Sequence, residues 1–190
     1  VLAEHPGWSP DGNYIAFDAD EGNSIKLISA TGGAPIRIVP ESIPVSRGGN
    51  PRWSPDGSRI AFREGSNLWV LEVSTGRLAK AFGEADLLPI PSCWSRDGTG
   101  IYAVLRASQS PQSTLWLLSE TGEDRRQLTF EKEAIYRYMD LSPDGSLLAF
   151  VACEGRECDV WVMPADGGRR IRITSAPGYD DTPRWSPDGG

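Results

Sequence analysis

Few residues in this 190-residue chain could do chemistry: one histidine, three cysteines, and serines and aspartates that recur at regular intervals. Acyl-transfer catalysis needs a nucleophile, a base and a group that orients the base. The sole histidine, His5, precedes Pro6 near the start of a candidate strand, and no Gly-x-Ser-x-Gly elbow occurs. His5 therefore reads as a polar channel or loop residue. There is no Cys-x-x-Cys pair, no histidine cluster and no glycine-rich phosphate loop, so the sequence predicts no metal, nucleotide or other cofactor. Asp18-Ala19-Asp20-Glu21-Gly22-Asn23 alternates oxygen ligands as a calcium loop does. It lacks the later bidentate Glu, however, and falls where a hairpin must turn. No residue is assigned a catalytic or metal-binding role.

Cys153 and Cys158 bracket Glu154-Gly155-Arg156-Glu157. A four-residue hairpin loop sets them opposite one another, in reach of a cross-strand disulfide with Cα atoms about 5.5 Å apart. Closing so short a loop adds only roughly 2 kcal/mol. Such a bond suits a periplasmic or extracellular protein, whereas a reduced pair suits a cytoplasmic one. Cys93, beside Trp94 on a candidate inner strand, reads as a buried free thiol.

Nineteen basic against 26 acidic side chains give a formal net charge of −7. Phosphate binding depends on clustered Lys and Arg, so this balance argues against nucleic acid and against anionic membrane surfaces. The longest apolar run, Leu147 to Cys153, is far short of the roughly 18 residues that span a bilayer, so no membrane insertion is expected. Val1 to Pro6 carry no basic stretch followed by an apolar one, so an export signal is expected upstream or already removed.

The elements that must position these residues come from an internal repeat. Trp8-Ser9-Pro10-Asp11-Gly12 recurs from Trp53, Trp94, Leu141 and Trp185, at spacings of 45, 41, 47 and 44 residues, with Arg96 in place of Pro in the third copy. Seven residues after each of the first four anchors stand Ile15, Ile60, Ile101 and Leu148, and two further on Phe17, Phe62, Ala103 and Phe150. That period of two is a strand. A second strand core follows, carrying Trp69, Trp116 and Trp161 in units two to four, and then a glycine turn and a polar and aliphatic segment such as Arg126-Gln127-Leu128-Thr129. Four strands in 41 to 47 residues is the arithmetic of a β-propeller blade. Ser-Pro-Asp-Gly reads as the hairpin turn between first and second strands, because Pro presets the second turn position and Gly accepts a left-handed one. Arg96 is expected to loosen its turn. The tryptophans read as rings filling the wedge between blades.

The Trp-Ser-Pro-Asp-Gly, Ile-Ala-Phe, Leu-Trp-Val and Arg-Gln-Leu-Thr series resembles the TolB-type, WD40-like propeller repeat (the PD40 type) over essentially the whole chain. The resemblance implies an all-β fold with antiparallel blades near residues 1–44, 45–86, 87–131 and 132–176, and the first strand of a fifth in 177–190. Because residues 1 to 9 already open the first blade, the orphan strand at 179 to 186 is expected to belong to a longer ring of six to eight blades. It further implies a non-catalytic platform for protein or peptide partners. Two alternatives stay open. One is the gating propeller of a prolyl-oligopeptidase-type serine peptidase, which a downstream Gly-x-Ser-x-Gly would reveal. The other is a bacterial sensor domain, which an upstream helix-turn-helix would reveal. In a propeller the loops entering the innermost strands gather on one face, so the expected partner rim comprises His5 with neighbouring Glu4, Arg47, Asn50, Tyr136, Arg137, Tyr138, Tyr179, Asp180 and Asp181.

Overall fold

The computed structural model describes residues 3–19, 24–43, 49–130 and 135–189. Their strands form four antiparallel sheets of four, each in chain order. The first holds β1 (Ala3–Trp8), β2 (Tyr14–Ala19), β3 (Ser24–Ser29) and β4 (Ile36–Arg37). The second holds β5 (Arg52–Trp53), β6 (Arg59–Glu64), β7 (Asn67–Glu72) and β8 (Leu78–Gly83). The third holds β9 (Leu87–Trp94), β10 (Gly100–Ala107), β11 (Ser113–Ser119) and β12 (Arg125–Gln127). The fourth holds β13 (Ile135–Leu141), β14 (Leu147–Glu154), β15 (Glu157–Pro164) and β16 (Ile171–Arg172). Each sheet is one blade of the expected all-β architecture.

The repeated turn is held by its own side chains. In the second copy Ser54 Oγ donates to Asp56 Oδ1 at 2.6 Å, Gly57 N–H donates to Ser54 O at 2.9 Å, and Arg59 N–H donates to Ser54 Oγ at 2.9 Å. Gly57 sits at φ 72°, which a side chain would strain. Arg96 does not loosen the third turn. Gly98 N–H reaches Ser95 O at the same 2.9 Å, because Ser95, Asp97 and Gly98 supply every bond that defines the turn. These hydrogen bonds to Ser54 and Ser58 hold the Asp56 carboxyl down at about 2, and those to Ser142 and Ser146 do the same for Asp144. The aspartates are structural acceptors.

The core lies between blades rather than within them. Ala16 and Leu27 of the first blade pack with Ile60 of the second, Leu68 and Val70 with Ile101 and Ala103, and Val104 and Leu115 with Met139 and Phe150. The anchor tryptophans add a directional link. Trp53 Nε1 donates to Gly7 O at 3.1 Å, Trp94 Nε1 to Arg52 O at 2.9 Å, and Trp185 Nε1 to Asp140 O at 3.1 Å. Each acceptor directly precedes the anchor of the blade before. Among the described residues no blade precedes Trp8, which is 60% exposed, and Ile171 and Ile173 are exposed on the fourth blade. Leu141 fills the anchor position without a donor; that joint is made by Tyr136 N–H to Ser113 Oγ at 2.7 Å and by Tyr102 Oη to Ala165 O at 3.2 Å.

Two segments differ from what the repeat implies. The outermost strand of the first blade, which the repeat sets near residues 35 to 39, pairs only at Ile36 and Arg37, with one further bond from Ile38 N–H to Ile25 O at 3.1 Å. Residues 179–186, expected as a fifth first strand, form no ladder beyond one isolated bridge of Tyr179 to Cys158, because in every full blade the ladder partner is the second strand. They are held instead by Trp185, whose backbone N–H also donates to Asp140 Oδ2 at 2.9 Å.

Candidate functional site

The innermost strands share an irregularity at the end remote from the repeated turn. His5, Asn50, Tyr138 and Thr182 have φ of 50°, 49°, 40° and 53°, and each stands three residues before its anchor at Trp8, Trp53, Leu141 or Trp185. The third blade has Pro91 there, and the pairing of β1, β9 and β13 slips by a residue at the same level. These are bulges. A left-handed non-glycine residue costs roughly 1–2 kcal/mol, and such strain gathers where structure serves function. The extra residue also reverses the alternation of side chains, so the halves of a strand before and after it present opposite parities.

The bulges surround an opening. A cavity of about 320 Å³ lies among His5, Asn50, Arg52, Arg137, Tyr138 and Arg184, with Ile90, Val104 and Met139 as its apolar wall and Arg106 at its edge. A wider space of about 710 Å³ shares His5, Asn50, Arg52, Tyr138 and Arg184 and continues toward Trp8 and Pro143. Together they trace the axis around which the blades are arranged. Arg52 Nε donates to Ser92 O at 2.8 Å and its Nη1 to Pro51 O at 3.0 Å. Burial, then the nearby Arg184 guanidinium, holds the pKa of Arg52 below its ordinary value. Burial pushes the Cys93 thiol up to about 12, so it offers no thiolate.

His5, Asn50, Tyr136, Arg137 and Tyr138, all expected on the rim, line this one cavity. Tyr136 is the exception in kind. It is 1% exposed, packs on Phe150 with ring centroids 5.8 Å apart, and accepts a hydrogen bond from Arg170, so the strand alternation before the bulge places it in the core. Tyr138, past the shift, is 45% exposed. Tyr179, Asp180 and Asp181 do not line this cavity: Cys158 N–H donates to Gly178 O and Asp180 N–H to Cys158 O, which lays that segment beside the start of β15. Arg47 lies outside the described residues.

Cys153 and Cys158 are disulfide-bonded, with Cα atoms 4.0 Å apart rather than the expected 5.5 Å. The hairpin is tighter than predicted: β14 runs to Glu154 and β15 starts at Glu157, leaving two turn residues. The backbone groups of Cys158 point away from Cys153 toward Gly178 and Asp180, and residues in such non-hydrogen-bonded antiparallel pairs lie closest together.

Among the described residues, one group could offer a cation three ligands: Glu4, His5 and Asp18, with donor atoms within 4.8 Å of one another. The buried Asp18 carboxylate accepts from Gly49 N–H at 3.0 Å and lies 3.1 Å from His5 Nδ1. Asp20 to Asn23, the rest of the calcium-like loop, lie outside the described residues.

The arginines were missed by sequence reading. Arg52 and Arg184 stand directly before a tryptophan anchor, where the other units have Gly7, Cys93 and Asp140. The signal was there: this position varies between two that recur, and the Pro-Arg-Trp triplet occurs twice.

The TolB β-propeller domain family profile matches residues 49–190. The Tol-Pal system protein TolB of Anaeromyxobacter dehalogenans (strain 2CP-C) is 35% identical over 126 residues, 65% of this chain and 28% of that protein. The crystal structure of TolB from Acinetobacter baumannii superposes with a TM-score of 0.76 at 21% identity, covering 99% of this chain and 47% of that one. An oligogalacturonate lyase from Vibrio parahaemolyticus gives 0.70 at 12% identity, covering 97% and 56%. At these identities the two structures establish shared fold alone. The chain spans less than half the length of either TolB relative.

Proposed function

Because the chain belongs to the TolB β-propeller domain family, we propose that it is a non-catalytic binding platform for a protein or peptide partner, acting in the periplasm or outside the cell. One observation carries the reading: strained residues of separate blades, His5, Asn50 and Tyr138, converge on one cavity that Arg137 flanks. Backbone strain held by several blades at one opening is a reason to place recognition there. Exposed Tyr and Arg are the side chains that most often anchor interfaces. Tyr179, Asp180 and Asp181, off the cavity, form an outlying part of the same rim. The Cys153–Cys158 disulfide supports an oxidising compartment. The related proteins named for the Tol-Pal system support a protein partner.

A photo-crosslinking residue at position 138 should trap polypeptide from an extract of the exported fraction, and one at Thr75, in a turn at the opposite end of the blades, should not. Equal trapping at both positions removes this reading. Substituting Arg137→Glu should weaken capture without lowering the unfolding midpoint; a fall in both would make it a structural residue.

A further inference from the structure

Elsewhere in the molecule, arginines meet carboxylates. Arg59 pairs with Glu120, Arg125 with Glu84, and Arg172 with Asp159 at 2.7 Å. Each of these joins strands or blades on the outer body of the fold. The mouth is different. Arg52, Arg106, Arg137 and Arg184 line or edge a single cavity of about 320 Å³, and no Asp or Glu lines it among the described residues. Among the described residues none of the four forms an ion pair with a carboxylate, and Asp18 and Asp140, whose charges reach Arg52, already accept from Gly49 N–H and Trp185 N–H. The chain as a whole carries a net charge of −7, so a cationic cavity runs against its average composition. In the wider space beneath, Asp140 is the one acidic lining residue, and it accepts from the Trp185 backbone.

Like charges held together are a cost that a bound anion removes, more so where walls of low polarity strengthen the attraction. We infer that this cavity takes an acidic polypeptide segment, seating a carboxylate among Arg52, Arg106, Arg137 and Arg184 with an apolar neighbour against Ile90, Val104 and Met139. The inference rests on the reading of the mouth as the partner site and gives that site its chemistry. Guanidinium forks match carboxylates in bidentate geometry. The walls select what carries the carboxylate. An anionic sugar would set its hydroxyls against the apolar wall of Ile90, Val104 and Met139. A free phosphate would leave the apolar wall uncovered. A volume near the small end of ligand pockets suits an extended segment rather than a folded domain.

The test titrates the chain with a fluorescein-labelled peptide of alternating Glu and Val, and with its Gln and Lys counterparts. The Glu peptide should bind, the Gln peptide roughly tenfold or more weakly and the Lys peptide not at all, with affinity for the Glu peptide falling as salt rises. Arg106→Gln alone should weaken the Glu peptide severalfold at an unchanged unfolding midpoint. Its exposed side chain makes no hydrogen bond or ion pair among the described residues, and its charge only opposes that of Arg63, so folding is not at stake. Arg52→Gln with Arg184→Gln should abolish binding. Equal affinity for the Glu and Gln peptides, or arginine variants that bind as the parent does, would overturn the charge assignment. If the same peptides still crosslink at position 138, the partner site survives that result. Displacement of the Glu peptide by inorganic phosphate or by trigalacturonate at matching concentration would overturn the polypeptide assignment. No binding by any peptide together with no crosslink at position 138 overturns both readings.

Discussion

The two ends of each innermost strand follow opposite rules. At one end Ser-x-Asp-Gly repeats in all five units, and the same three hydrogen bonds close every turn for which they are recorded, including the one where Arg96 replaces Pro. At the other end His5, Asn50, Pro91, Tyr138 and Thr182 occupy one structural position with five different side chains, four of them left-handed. Shared backbone geometry with divergent side chains means that the bulge is a framework requirement, while what it displays is free to differ. The turns hold the blades, and the mouth distinguishes this protein from another propeller.

If that division is right, the largest losses of stability belong to the framework. Trp94→Ala, at 4% exposure with its indole bonded to the preceding blade, should cost on the order of 3–5 kcal/mol in denaturant unfolding. Trp8→Ala should cost under about 1 kcal/mol, since that ring is 60% exposed. Half-buried Trp53 and Trp161 should fall between. Equal losses at Trp8 and Trp94 would show that the repeat residue, and not the neighbouring blade, sets the energy.

The sharpest contrast within one strand is Tyr136 against Tyr138. Tyr136→Ala should cost about 3–4 kcal/mol and Tyr138→Ala no more than about 0.5 kcal/mol, with the order reversed for partner capture. A reversed stability order would mean that the bulge at 137–139 is misplaced.

Smaller effects test the turns. Ser54→Ala removes the donor to Asp56 and the acceptor for Arg59 N–H, and should cost about 1 kcal/mol. Smallest is the acid response. The Asp56 and Asp144 carboxyls are held at about 2 against an ordinary 3.8, so their contribution is complete above about 4 and is lost as pH falls toward 2. Asp56→Asn with Asp144→Asn should flatten the fall of the unfolding midpoint between those limits. An unaltered acid profile would remove the turns as its source.

The blade pattern was legible because it rests on local rules, a period of two and a turn whose chemistry repeats. Tyr136 was misread because no local rule announces a bulge. The expected rim treated Tyr136, Arg137 and Tyr138 as one exposed loop, whereas β13 begins at Ile135 and sinks Tyr136 before the shift exposes Tyr138. Arg52 and Arg184 were missed for a related reason. Which face of a strand looks onto the axis depends on the blade's tilt among its neighbours, and a charged residue beside a tryptophan reads as ordinary surface. Spacing alone put Cys153 and Cys158 within reach of a disulfide and left a reduced pair open; the closeness of their Cα atoms awaited the position of residues 178–180, which take up the outward-facing backbone groups of Cys158.

The tryptophan links also run one way in time. The three anchor indoles that bond across blades each find their acceptor on a segment made earlier: Gly7 for Trp53, Arg52 for Trp94, Asp140 for Trp185. A ribosome delivering about 5–20 residues per second takes seconds to supply another blade, whereas a hairpin closes in roughly 1–10 μs. A blade that carries such a tryptophan therefore meets a finished neighbour and does not wait for its successor to offer that bond. At these three joints the direction of the donor follows the order of synthesis.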